Sequence, residues 1–238
     1  MKVPAKSLLI CAAAVTSSFA YSATISAPAE AALLFVSNER DNTVTVVDAE
    51  TYEVVKVIKT GKRPRGIISS PDYREIFVCI GDDAQLDVID TQKLEIVRSM
   101  DSGPDPELLD VDPKGERIYI ANEDDALVTV IERHSGKILA EIPVGVEPEG
   151  MNVSPDNKIA VATSESTSMA HFIDTATLKV LADVLVDTRP REARFEPDGK
   201  RVWVSSEIGG TVSVIDAKPF KTVQKLTFEI PGVRPELI

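Results

Sequence analysis

Apolar residues in this chain fall in short alternating runs, not at the three-to-four spacing of a helix face. "VTVVD" recurs as "LDVID", "VTVIE", "AHFID" and "VSVID", ending at Asp48, Asp90, Glu132, Asp174 and Asp216, so that the interval is always 42 residues. Two proline series obey the same ruler: Pro64, Pro106, Pro148 and Pro190, with Pro235 following after 45 residues, and Pro71, Pro113, Pro155 and Pro197. Three registers with one period define a repeat protein.

Each unit predicts four strands. In the unit that starts at Pro64, "GIISS" reads as the first strand, "PDYR" as a turn, "IFVCI" as the second strand, "LDVID" as the third and "LEIVRSM" as the fourth. Four antiparallel strands per period of about 40 to 45 residues make a β-propeller blade. The predicted fold is therefore all-β, with five blades across residues 33–238. The turn residues agree: proline presets the "SPD" turn, and Gly115, Asn157 and Gly199 tolerate positive φ two residues later, with Tyr73 as the exception. The acid closing each third strand is expected to cap amides of the turn that follows. The first blade opens on "LLFVSN", which matches a second strand, so its innermost strand must come from elsewhere. The chain ends "RPELI", where a closing strand is begun and not completed. The expectation is a fragment of a longer propeller, lacking two blades.

Residues 1–20, MKVPAKSLLICAAAVTSSFA, read as a cleaved secretory signal: two lysines, a short apolar stretch, then small residues. A lipoprotein reading through Cys11 is opposed by the bulky Ile10 before it. Residues 21–32 read as a linker, and no later apolar run approaches the ~20 residues that span a bilayer, so no membrane insertion is expected. Removing Lys2 and Lys6 takes the net charge from -12 to -14, which argues against nucleic acid as a partner. Cys79 is then the only cysteine, so the core alone must hold the fold, and about 215 residues are enough to build one.

The units "LLFVSNERDNTVTVVDAETYEVVKVIKTGKRPRGIISSPD" and "IYIANEDDALVTVIERHSGKILAEIPVGVEPEGMNVSPDNK" resemble YVTN-family β-propeller repeats. "SGPDPELLDVDPKG", "VGVEPEGMNVSPD", "MAHFIDTAT" and "SSEIGGTVSVID" are similar to the exported propellers associated with PQQ-dependent alcohol catabolism. The resemblance covers Leu33 to Ile238. It implies a seven-bladed, non-catalytic propeller exported to the periplasm and encoded with quinoprotein dehydrogenase systems, with no catalytic residues to carry over. The five units here depart from seven. Quinoprotein dehydrogenases themselves use recurrent tryptophan docking motifs, and Trp203 is the only tryptophan in this chain.

No Ser-His-Asp order, Walker loop or zinc spacing is found, and no cofactor or metal is expected. His171 aligns with Thr45, Asp87, Thr129 and Ser213, a polar site on the third strand. His134 aligns with Glu50, Gln92, Ala176 and Lys218 in a solvent-facing turn. Cys79 aligns with Ser37, Ala121, Thr163 and Ser205 and reads as a small buried hydrophobe.

One scattered constellation remains. Loops before first strands and after second strands share one face of the disc. That face collects the residues flanking the motif prolines: Arg63 and Arg65, Asp105 and Glu107, Glu147 and Glu149, Arg189 and Arg191, Arg234 and Glu236. It also collects Glu39, Glu123, Glu165 and Glu207, a series that Gly81 breaks, and the innermost strands add Asp110, Asn152 and Arg194. Charges on different blades are expected to lie beyond the Debye length of roughly 8 Å and so to orient a partner more than stabilise the fold. The reading is an exported accessory or binding protein, whose partner is a protein of a quinoprotein oxidation system or a small ligand. Two alternatives stand beside it. One is a lactonase-like or metal-dependent hydrolase using mouth acids such as Glu39, Asp110 and Glu207; the other is a cell-surface adhesion module.

Overall fold

A computed structural model describes residues 32–230 and 232–236. The predicted signal sequence, the linker up to residue 31, and Leu237 and Ile238 of the closing motif lie outside the described residues. No helix among those described is long and apolar enough to cross a membrane.

The strands form five separate antiparallel sheets in chain order. The first holds β1 (Leu33–Asn38), β2 (Thr43–Asp48) and β3 (Val54–Lys59). The second holds β4 (Pro64–Ser69), β5 (Glu75–Ile80), β6 (Gln85–Asp90) and β7 (Glu95–Asp101). The third holds β8 (Pro106–Val111), β9 (Arg117–Asn122), β10 (Leu127–Glu132) and β11 (Ile138–Pro143). The fourth holds β12 (Pro148–Val153), β13 (Ile159–Ser164), β14 (Met169–Asp174) and β15 (Lys179–Leu185). The fifth holds β16 (Pro190–Phe195), β17 (Arg201–Ser206), β18 (Thr211–Asp216) and β19 (Lys221–Thr227). This is a partial β-propeller, as the sequence predicts. The first sheet lacks an innermost strand among the described residues, again as its opening "LLFVSN" implies.

Burial follows position in the blade. β12 is buried along its whole length, whereas the outer β7 alternates between exposed and covered residues. Successive sheets pack face to face. Phe77, Leu86 and Val88 of the second sheet meet Leu109, Ile118 and Ile120 of the third, and the same addresses supply the other three interfaces. Burying a ring such as Phe77 contributes about 2–3 kcal/mol. Cys79 lies in this core and is fully buried, and burial pushes its thiol well above the ordinary value. It fills the tight slot expected of it and is not a nucleophile.

The turns bear out the sequence reading and extend it. Asp48, Asp90, Glu132 and Asp174 each accept hydrogen bonds from the two amides that lie two and three residues on. Those amides hold the carboxyls below their ordinary range, with the Ser135 side chain foremost at Glu132. Asp216 is the exception: Pro219 stands three residues on and has no N–H to give, and the carboxylate faces Arg201 at 3.5 Å. Tyr73 takes φ +56, the same region as Gly115, Asn157 and Gly199, although a left-handed backbone costs a side-chain-bearing residue about 1–2 kcal/mol.

Candidate functional site

The loops at the axial mouth are built by a short irregularity in each repeat. Arg63, Asp105, Glu147 and Arg189 precede the motif prolines and all adopt positive φ, between +42 and +60. Proline normally drives the residue before it into the extended region, so four charged residues are held against local preference at one address. Directly afterwards the first strands bulge, shifting register between Pro64 and Ile67, Pro106 and Leu109, and Pro148 and Met151. The bulge turns the residue after the proline towards the mouth. Gly66 lets the inner strands close up there, since a Cβ on it would lie 2.5 Å from the Glu107 carbonyl oxygen.

The charges so placed touch one another across blades. Arg63 of the second sheet donates to Asp105 and Glu107 of the third, and Arg65 donates to the same Glu107. Arg65 also reaches Glu149 of the fourth sheet at 3.5 Å and Glu39 of the first at 3.2 Å. From Glu149 the series runs to Arg191 at 2.8 Å, to Glu165, to Arg189 at 2.8 Å, to Glu207 at 3.2 Å and to Arg234 at 3.1 Å. Acid and base alternate along this ladder from the second sheet to the fifth. The expectation that charges on different blades are screened from each other is therefore overturned: bulged inner strands bring their side chains to the axis, inside the distance over which water screens them. The opposite signs beside successive prolines, legible in the sequence, are the two sides of ion pairs. Gly81, which breaks the glutamate series, is explained as well, because a Cβ there would lie 2.8 Å from Arg63 Nη1 and 3.0 Å from Asp105 Oδ1.

Burial makes the ladder more than a surface feature. The Glu107 side chain is 0% exposed and that of Glu149 5%, while Glu39 at 49% and Arg234 at 67% form the wet rim. Burial and the Glu149 charge push the Glu107 carboxyl up, to about 8, against the pull of Arg65 and Arg63. On the other side, Arg65 loses charge preference to burial but is held above its ordinary range by Glu107. The contacts decide between these. Three guanidinium nitrogens rest on the two Glu107 oxygens, and protonation would cost half-buried Arg63 and Arg65 their main acceptor, so Glu107 is the ionised partner. Glu149 differs: both arginine contacts fall on Oε1, and burial raises its carboxyl to about 7 against Arg191 and Arg65.

Of the remaining predicted positions, Glu123 faces Arg63 at 3.9 Å, Glu147 accepts the Ser166 hydroxyl, and Arg194 pairs at 2.7 Å with Glu192. Asp110 and Asn152 do not open into a channel. Asp110 accepts the amides of Val111 and Val153 and the Asn152 side chain, and Asn152 accepts the amide of Phe195, so each ties its sheet to the next. Burial raises Asp110 to about 6 against those amides. The buried Glu192 was missed by sequence reasoning. So were the hydroxyls of Ser37, Thr163 and Ser205, which donate to the carbonyls of Arg65, Arg191 and Glu236, the residues after the next motif proline. Their only sequence signal is the small-residue series they share with Cys79.

Three arrangements bear on catalysis. Ligand atoms of Asp105, Glu107 and Glu123 lie within 4.8 Å of one another, close enough to hold a cation. Arg63 already faces all three, so an ion would have to displace a guanidinium group. The acids named for a hydrolase, Glu39, Asp110 and Glu207, are not brought together among the described residues; each is committed to its own partners. Third, a serine, histidine and aspartate do meet, which the sequence reading did not find: Ser164 Oγ lies 3.0 Å from His171 Nε2, and His171 Nδ1 2.6 Å from Asp183 Oδ1. Strand pairing puts His171 opposite Asp183 and next to the end of β13. Yet Ser164 is fully buried and Nε2 also receives the Gly145 amide at 3.0 Å, so the imidazole is an internal brace with no nucleophile in reach of solvent. His134 is exposed in its turn, as expected.

At the centre of the mouth is a cavity of about 240 Å³ lined by Ser37, Glu39, Arg65, Glu149, Arg191 and Glu236, among others. Every sheet but the third contributes a side chain to that set, and the third reaches it through Leu108.

No protein-family model and no curated protein sequence matches the chain. Among solved structures it is similar to hydrazine synthase of Kuenenia stuttgartiensis, at 23% identity and a TM-score of 0.77 over 85% of this chain and 64% of that one. It is similar also to a functionally unknown protein from Desulfotomaculum acetoxidans DSM 771, at 16% identity and a TM-score of 0.73 over 82% of this chain and 66% of that one. Identities this low carry the propeller fold and nothing finer, and the chain spans less than two-thirds of either structure.

Proposed function

We propose that this chain is a non-catalytic, exported propeller that works as a binding or accessory protein, with the charged axial mouth as its recognition surface. The observation that carries the reading is the ladder itself. Its buried carboxylates are each bonded to arginine, which fixes them in place, while the rim of Glu39, Glu236 and Arg234 lies open to solvent and to a partner. The resemblance of the repeats to PQQ-associated propellers supports a partner from a periplasmic quinoprotein oxidation system.

The test uses the exposed rim residue Glu236, since Glu149 and Glu39 are built into the ladder and reversing them would disturb folding. Immobilised parent protein and the Glu236→Lys variant are each exposed to a periplasmic extract containing a PQQ-dependent dehydrogenase. The parent should retain the dehydrogenase at least tenfold better than the variant, with both giving the same melting transition. Equal retention by the two proteins, or none by the parent, would remove the proposal.

A further inference from the structure

Only one oxygen of the Glu149 carboxylate on β12 is used by the ladder. Arg65 of β4 and Arg191 of β16 both contact its Oε1, at 3.5 and 2.8 Å. Among the described residues Oε2 meets no donor, yet it is not one of the orphaned atoms sealed inside the protein, so it opens into the cavity that Glu149 lines. The side chain as a whole is 5% exposed. An acceptor so nearly buried is costly unless a donor reaches it.

The rest of the lining says which donor fits. Each terminal nitrogen of Arg65 and Arg191 already rests on a carboxylate: Glu39, Glu107 and Glu149 for the first, Glu149 and Glu165 for the second. An anion entering here would find no free guanidinium terminus and three carboxylates, Glu39, Glu149 and Glu236, in the wall. A bare metal ion is disfavoured for another reason. Among the described residues the ligand atoms that gather within 4.8 Å belong to Asp105, Glu107 and Glu123, not to these three. Beside the charged groups the wall has an apolar part, formed by Pro64 and Leu108. At about 240 Å³ the cavity falls below the range of about 300–1,000 Å³ that takes drug-sized molecules, so it suits a shorter one.

We propose that the mouth cavity binds a short aliphatic primary amine as its ammonium ion, which donates to Glu149 Oε2 while its alkyl stem lies along Pro64 and Leu108. The ammonium brings three N–H donors and a compact positive charge to an acid-rich wall, and the stem covers the apolar part. The proposal rests on the reading of the mouth as a recognition surface and names a ligand for it. Binding is coupled to the proton on Glu149. That carboxyl faces Arg65 and Arg191 together with the acids Glu107, Glu123 and Glu165, and burial raises it to about 7, so below neutrality an arriving ammonium displaces its proton.

The probe is butylamine, cationic on both sides of neutrality, titrated calorimetrically into the whole protein. Saturable one-to-one binding is expected at pH 8. At pH 6, where Glu149 is only about one-tenth ionised, affinity should be about tenfold weaker and binding should release about one proton to the buffer. 1-Butanol, which has the stem without the charge, and tetramethylammonium, which has the charge without N–H, should each bind at least tenfold more weakly than butylamine. Glu149→Gln, which keeps an oxygen for the arginines, should lose at least tenfold in affinity at pH 8 and all of the pH dependence. The analogues and the pH series use the parent alone, so they decide the matter without the variant. Butylamine binding that is absent, matched by 1-butanol, or equal at pH 6 and pH 8 overturns the inference. If it fails while the parent still retains the dehydrogenase, the ligand is removed and the protein-recognition reading stands.

Discussion

Replacing Glu107 by alanine should lower folding stability by about 3–5 kcal/mol at neutral pH, the range for removing one partner of a buried ion pair. Glu107 is the buried carboxylate that Arg63 and Arg65 share, and its side chain is wholly covered. Without it two half-buried guanidinium groups lose their main acceptor, and the second and third sheets lose their polar clasp at the axis. Glu39 and Asp105 would recover part of the contact, which places the loss in this range and not above it. Urea denaturation of parent and variant measures it. A change within about 0.5 kcal/mol, typical of surface substitutions, would mean that the ladder is a solvated ornament of the mouth.

Stability should also fall as the pH rises from about 5 to about 7. The Glu149 carboxyl, raised by burial to about 7 in the folded protein, has its ordinary value of 4.5 when unfolded. Between those values the folded state keeps a proton that the unfolded chain has released, so the contribution is full below about 4.5 and is lost as the pH climbs through about 7. For a side chain this well covered the effect reaches roughly 3 kcal/mol. Asp110 adds the same sign over a lower window ending at about 6. The opposite limb belongs to the turn acids Asp48, Asp90, Glu132 and Asp174, which are held below their ordinary values and lose their contribution as the pH falls through them. Melting temperatures should therefore peak on the acid side of neutrality. Glu149→Gln should flatten the limb between about 6 and 7; a variant that keeps the full slope would assign it to other groups.

Much of this fold is legible in the sequence because a repeat tests every inference several times over. One alternating run would be ambiguous, but five at a fixed interval fix strand order, turn positions and the missing innermost strand of the first sheet. The turn acids were legible for the same reason, being local: the amides they cap are two and three residues away. The site was legible only as a set of addresses. Sequence spacing places Arg65 and Glu149 at equivalent positions two repeats apart, but it does not say that bulged inner strands bring those positions into contact. Nor does it reveal Ser164, His171 and Asp183 as one internal brace, since their meeting depends on the pairing of three adjacent strands. Gly81 shows what was recoverable. Its break in the glutamate series has a physical cause, the space taken by Arg63 and Asp105, but the cause is visible only once both side chains are placed.

The central claim is that charges from separate blades form one bonded ladder at the axis, and a double-mutant cycle on Arg65 and Glu149 tests it most directly. The two residues are 84 positions apart, on the second and fourth sheets, and meet at 3.5 Å. Alanine substitutions, single and combined, measured by urea denaturation at pH 8 where Glu149 is ionised, should give a coupling energy of about 1 kcal/mol or more. Additive effects, with coupling within about 0.3 kcal/mol of zero, would contradict the ladder.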